Sequence, residues 1–309
     1  MLRYILYRIV WMIPTLLALS IVTFVFMHLT PGSPLQPESA NNPLTPDEQK
    51  VLAREFGLDK PITQQYLFYL RNAIKLDFGK DYNLKTQKVS AIIKRELPYS
   101  LKLGAFAMIL AIVGGLVLGV AAAMNQNGPV DYICTFTAML GVAMPNFVLG
   151  VYLILIFVIV FRIFPHAVGV NSPEDWILPT IALGMTPLAT IARYVRSSMI
   201  DVIRSDFVRT ARAKGLSEPR VMVVHVVKNG LIPPLTILAP ISAAILTGSP
   251  AIETIFSVPG IGNKFVYSFQ GRDYPMIMAV ILLLGVFIVV LNLIVDLLYA
   301  VVDPRIHYS

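Results

Sequence analysis

Cysteine occurs once in the 309 residues, at Cys134, and histidine only four times. A single thiol excludes an intrachain disulfide framework. No set of His, Cys, Asp or Glu has metal-ligand spacing. Charged residues make up 14% of the chain, against roughly 25% in a soluble globular domain, so composition argues against that class. A Gly-x4-Gly-Lys-Ser/Thr phosphate loop is missing, and with it any motif for binding or hydrolysing ATP in this chain. Ser197-Ser198 and the scattered histidines form no nucleophile–base pattern. The formal charge of +7 raises the question of nucleic acid. Aromatic-interleaved basic patches, zinc spacings and a basic helix-turn-helix are all lacking, so none is expected as a partner. Asp77-Phe78-Gly79 has the letters of a kinase magnesium motif without any other kinase part, and reads as a turn.

Hydrophobic residues, by contrast, fill 56% of the chain, in runs of about 20 that read as membrane spans. An apolar run in residues 1–30 follows Arg3 and Arg8. It is long for a signal peptide, offers no small-x-small cleavage site, and reads as an uncleaved first span stopped by Pro31-Gly32-Ser33-Pro34. Residues 31–97 are polar and mixed in charge. Thr45-Pro46-Asp47-Glu48 is a capping box that starts a helix closed by Gly57. A second helix is expected from about Thr63 to Leu76, with Tyr66, Leu67, Leu70 and Ile74 on one face.

Apolar spans resume from residue 98. The second covers about Tyr99 to Met124, with Lys102 placed to snorkel near one end and Gly115 and Gly119 making a close-packing GxxxG face. Residues 132–161 are too long for one straight crossing. Pro145 falls within that run and frees the carbonyl of Gly141. That break is either a packing kink or a position lining a transport path. Trp176 opens a fourth span as an interface anchor, expected to end near Ala192. A fifth, about Gly230 to Ile252, is made irregular by four prolines, and a sixth covers about Met276 to Val302. On the sixth, Asn292 and Asp296 are four apart and share a face. They are candidates for a cation or peptide-amine contact, or for a structural hydrogen bond.

Between the fourth and fifth spans lies a basic, hydrophilic stretch, Arg209-Thr210-Ala211-Arg212-Ala213-Lys214-Gly215-Leu216. It reads as a short helix of good formers stopped by a glycine. Its small side chains leave Ala211 and Ala213 free to fit a tight groove. Its cations are placed to meet acidic groups or membrane lipid head groups. Gly215 and, after nine residues, His225-Val226-Val227-Lys228 resemble the membrane-subunit loop of ABC importers. Arg209 and Lys228 depart from the general pattern, which has Glu and Pro there. The string RTARAKGLS, with ETIFSVPGIG at 253–262, RDYP at 272–275 and DPRI at 303–306, is similar to the oligopeptide/dipeptide permease branch. His225 reads as a packing or interface residue.

The resemblance implies an all-α integral membrane fold: six transmembrane helices of the type I importer permease, with a small helical extracytoplasmic insert. Residues 1–30 would be the first helix, 31–97 the insert and 98–303 the transmembrane domain, with a coupling loop at 193–229. It further implies a peptide importer whose coupling residues are Arg209 to Leu216. Its partners would be a second homologous permease, two ATPase subunits that bind ATP and magnesium, and an extracytoplasmic substrate-binding protein. The chain itself would be no enzyme and hold no cofactor. Basic residues concentrate in the segments assigned to the cytoplasm: Arg3, Arg8, eight between Arg193 and Lys228, and Arg305. That bias supports the layout, in which six spans put both termini in the cytoplasm, and the resemblance implies the cytoplasmic membrane of a prokaryote. Import of nickel or a metal chelate, a neighbouring branch, is the alternative within the class. An ATP-independent secondary transporter is the alternative outside it, and predicts paired ionisable residues on several spans, where Asp296 stands nearly alone.

Overall fold

The computed structural model describes residues 2–29, 45–55, 57–81, 87–164, 169–246 and 249–302. The expected breaks at 31–34 and the ending at 303–306 lie outside them, as does the side chain of Glu48. Among the described residues every regular element is helical, apart from one isolated bridge between Lys80 and Lys88. The helices are α1 (Leu2–Leu29), α2 (Pro46–Glu55), α3 (Ile62–Ile74), α4 (Val89–Met124), α5 (Pro129–Ala143) and α6 (Asn146–Leu153). There follow α7 (Ile177–Ile203), α8 (Asp206–Ala213), α9 (Glu218–Arg220), α10 (Lys228–Gly230) and α11 (Ile232–Leu246). Then come α12 (Pro250–Ile255), α13 (Ile261–Gln270) and α14 (Tyr274–Val302). A π-helical stretch, Ile154–Val160, continues α6, and another, Val221–Val227, joins α9 to α10.

Among the described residues four helices are long and apolar enough to cross a membrane, and the number reaches six if each of two bent pairs is one span. Apolar helices of this length satisfy their own backbone groups, which hydrocarbon requires. Their outward apolar side chains, such as Phe26, Val10 and Val117, remain exposed, as expected where lipid replaces water.

The chain divides into two compact units. The first comprises Met1–Ser100 and Pro259–Val289. Within it α1 packs on α14 and α3. Gly285 leaves no room for a side chain against Leu19, and the Tyr66 hydroxyl lies 2.8 Å from that of Ser20. The inner face of α3 is therefore the expected one only in part, keeping Tyr66 and the half-buried Leu70 and adding Tyr69. Leu67 and Ile74 are exposed, while Tyr66 and Tyr69 turn inward. Tyr66 can bury its ring because its hydroxyl meets that of Ser20, a pairing that apolar periodicity does not register. Asp77 accepts a hydrogen bond from the Gly79 N–H at 3.2 Å, and Gly79 takes φ +80°, the expected turn.

α4 starts ten residues before the apolar run, at Val89. The boundary expected at 97/98 thus falls inside a helix. At 1.5 Å per residue its 36 residues reach about 54 Å, beyond a hydrocarbon core of about 30 Å. The extra turns are held by burial of Val89, Ile92 and Ile93 against Ile261, Met276 and Val280. Ser100 adds a hydrogen bond from the Ile261 N–H at 2.8 Å.

The second unit comprises Leu101–Val258 and Val290–Ser309. Its centre is α7, which contacts α5, α6 and α11. The GxxxG face packs within the chain. A Cβ at Gly115 would lie 2.7 Å from Ile191, and one at Gly119 2.6 Å from Val195 and 2.7 Å from the Ala192 carbonyl oxygen. Trp176 is not a lipid-facing anchor, being only 5% exposed. Its ring meets Phe106 edge-on at 5.9 Å, and the Lys102 ammonium sits 4.4 Å from its centroid, a cation–π contact. α7 runs on to Ile203, eleven residues past the expected end, because its last turns are packed by the segment that follows.

Candidate functional site

The basic stretch forms α8, eight residues long and set between Ser205 and Gly215. Ser205 is extended, and Asp206 supplies a carboxylate to the first turn, where it meets the positive end of the helix dipole. The helix stops in a Schellman pattern. The Gly215 N–H donates to the Arg212 carbonyl at 2.9 Å, and the Leu216 N–H to that of Ala211 at 3.4 Å. Gly215 has φ +79°, a left-handed conformation that a side chain would strain. Beyond it, Arg212 grips Glu218 across the turn, with contacts of 2.6, 3.1 and 3.2 Å.

The two alanines do not play the same part. Ala213 is exposed, but Ala211 is 5% exposed and belongs to the core. With Val208 it packs among Val195, Met199, Val221, Met222 and Val226. The small size of Ala211 therefore serves this chain's own packing, not a partner's groove. The outward surface of α8 is made by Arg209, Thr210, Arg212, Ala213 and Lys214, with Gly215 beyond them. Phe207 completes it at 47% exposed. Sequence reasoning passed over Phe207, although a lone aromatic three residues ahead of Thr210 on a hydrophilic helix was the available signal.

The break at Pro145 is sharper than a kink. α5 and the α6–π segment meet at 107°, and Pro145 itself is the N-cap of α6. The Gly141 carbonyl is indeed freed, and the Thr186 hydroxyl of α7 donates to it at 2.8 Å. A Cβ at Gly141 would lie 2.9 Å from the Met185 carbonyl oxygen, so the two backbones touch at the bend.

Two family descriptions match the chain. Residues 115–308 match the binding-protein-dependent transport system inner membrane component, and residues 1–104 the N-terminal part of such membrane components. The chain belongs to this family. It is 42% identical over 306 residues to the dipeptide transport system permease protein of Bacillus subtilis (strain 168), covering 99% of this chain and 98% of that protein. The oligopeptide transport system permease protein of Haemophilus influenzae is 41% identical over 310 residues, covering the whole of both. Among solved structures, inward-facing MetNI methionine ABC transporter superposes with TM-score 0.58 at 15% identity, over 69% of this chain and 96% of that one. An amino acid ABC transporter with histidines gives 0.54 at 16%, over 68% and 94%. These two likenesses show the fold, the all-helical importer permease architecture expected from the sequence.

In this permease Asn292 lies on α14 and is exposed, while the side chain of Asp296 is outside the described residues. Among the described residues no hydrogen bond or ion pair joins Pro145, Asn292 and the 206–216 segment. The structure does bring together a pair that the sequence reading left apart. Asp131, whose side chain is 4% exposed, receives two hydrogen bonds from the Arg196 guanidinium at 2.6 and 2.7 Å. The Asn127 N–H and the Thr135 hydroxyl add two more, at 2.9 and 3.2 Å. Arg196, which the charge count treated as a topological marker, is a structural tie between α5 and α7. The available signal was an aspartate opening an apolar run and an arginine inside a neighbouring span, since such charges seek partners.

Proposed function

We propose that this permease imports di- or oligopeptides across the cytoplasmic membrane, with both termini in the cytoplasm. It works with a second homologous permease subunit, two ATPase subunits that hold ATP and magnesium, and an extracytoplasmic substrate-binding protein. The substrate class rests on one observation, the similarity of 41–42% over essentially the whole chain to permeases named for dipeptides and oligopeptides.

The coupling role of residues 206–216 is supported by how α8 is mounted. Its inner face is fixed by Val208 and Ala211 to the cluster that contains Val195, Met199 and Val226. Its outer face offers Phe207, Thr210, Ala213 and Lys214 to a partner. A push on that outer face is passed to α7 and to the 221–227 stretch as a rigid movement, since close-packed cores transmit strain. α7 in turn carries the Thr186 contact that holds the bend beside Pro145. Nucleotide-driven closure of the ATPases thereby shifts the population of the spans between two openings.

The test is reconstitution in liposomes. With all partner subunits present, labelled dipeptide should accumulate only with ATP, and a metal chelate should not. The chain alone should neither hydrolyse ATP nor accumulate peptide. Saturable uptake by the chain alone under an ion gradient would move it to the secondary-transporter class.

A further inference from the structure

The first unit contains a cavity of about 310 Å3, at the small end of the range for ligand sites. Its apolar walls include Phe24 of α1, Phe68 of α3 and Met278 of α14. Tyr69 also lines it, and among the described residues the Tyr69 hydroxyl is buried without a hydrogen-bond partner. A buried hydroxyl in that state is costly unless something fills the gap. Burial also pushes the phenol above its usual range, so it remains a neutral donor. Three charged side chains join the lining, the cations Lys60 and Lys80 and the anion Asp77. The Lys60 ammonium lies 5.6 Å from the Phe68 ring centroid, over the apolar wall and not away from it.

We propose that this cavity binds a short zwitterionic peptide with an apolar side chain, on the permease itself. Lys60 receives the carboxylate, Asp77 the ammonium, and Phe24, Phe68 and Met278 the side chain. The Tyr69 hydroxyl donates to the peptide's amide carbonyl. With Asp77 beside Lys60 and Lys80, the lining carries charges of both signs about an apolar body, which suits a zwitterion better than a simple anion. The proposal rests on the peptide reading given above, from which it takes the ligand class.

The experiment uses the full chain in nanodiscs and alanyl-phenylalanine as the probe, with binding followed by calorimetry. Tyr69→Phe removes only the unpartnered hydroxyl. It should leave the melting temperature unchanged or raised while weakening binding about tenfold. Lys60→Gln should weaken the free peptide by a similar factor and leave its C-terminal amide unaffected. Equal affinity in wild type and both variants would overturn the site, as would absence of binding at millimolar peptide. A phospholipid found to occupy the cavity and compete with the peptide would overturn it too. ATP-driven uptake by the complete transporter is measured in parallel. Uptake without direct binding to this chain defeats the cavity site alone and leaves the import reading standing.

Discussion

Ala211 and Ala213, two residues apart on one short helix, provide the sharpest separation of internal packing from partner contact. Each is replaced in turn by leucine, whose helix propensity is close to that of alanine, so α8 itself is little affected. At Ala211 the added carbons enter a closed space. The residue is 5% exposed and surrounded by Val195, Met199, Val221, Met222 and Val226. Overpacking of that kind costs about 1–3 kcal/mol. At Ala213 the same carbons extend from an exposed position, and surface changes of this type fall within about 0.5 kcal/mol. The assays are the melting of the permease alone in detergent and the co-purification of the ATPase subunits. Ala211→Leu should lower the melting temperature before any partner is added. Ala213→Leu should melt normally, yet recover less ATPase and take up less peptide. Normal co-purification and uptake with Ala213→Leu would remove the coupling role from the outer face of α8. Normal melting with Ala211→Leu would show that the inner face is not packed as described.

Three further substitutions test the frame around α8. Gly119→Ala should destabilise the permease by about 1–3 kcal/mol, because the new Cβ meets the Ala192 carbonyl oxygen at 2.7 Å and backbone cannot step aside; an unchanged detergent melt would refute the α4–α7 contact. Asp131→Ala leaves Arg196 without its carboxylate. The cost should fall near the lower end of about 3–5 kcal/mol, since the Arg196 side chain is 31% exposed; replacing both residues by leucine should recover part of the loss, and a double variant worse than either single one would contradict the pairing. For orientation, cysteines are placed in a Cys134→Ser background. Arg71→Cys should react with an impermeant thiol reagent outside intact cells and Arg212→Cys should not, and reaction of the second alone would invert the topology.

What could be read from the residues differs by the kind of physics involved. Local conformational demands were legible. Gly215, Gly57 and Gly79 all take positive φ where a helix or turn has to end, and proline spacing announced the broken spans. Boundaries were not, because apolar length marks only the portion of a helix in lipid. α4 and α7 both run past it, where tertiary packing at Val89–Ile93 and at Met199–Ile200 continues the helix. Pairings across the chain were hidden for a related reason. Asp131 and Arg196 are 65 positions apart, and nothing local in either run specifies the other.

The phase of α8 was within reach all the same. Val208 and Ala211 are three apart, and Leu216 closes the Schellman turn over them as a partly buried contact. That trio defines an inner stripe, and residues off the stripe face outward by helical geometry alone. Judging the alanines by size alone placed both on the partner's side; judging them by register separates them. The distinction matters for how the helix works. A helix lying loosely on the surface would yield when pushed, whereas one whose alanine is sunk into the same cluster as Val195 of α7 has to move α7 with it. In the coupling role proposed for α8, the inner alanine would fix the lever, and the outer one, with Phe207 and Thr210, would form the surface on which the force is applied.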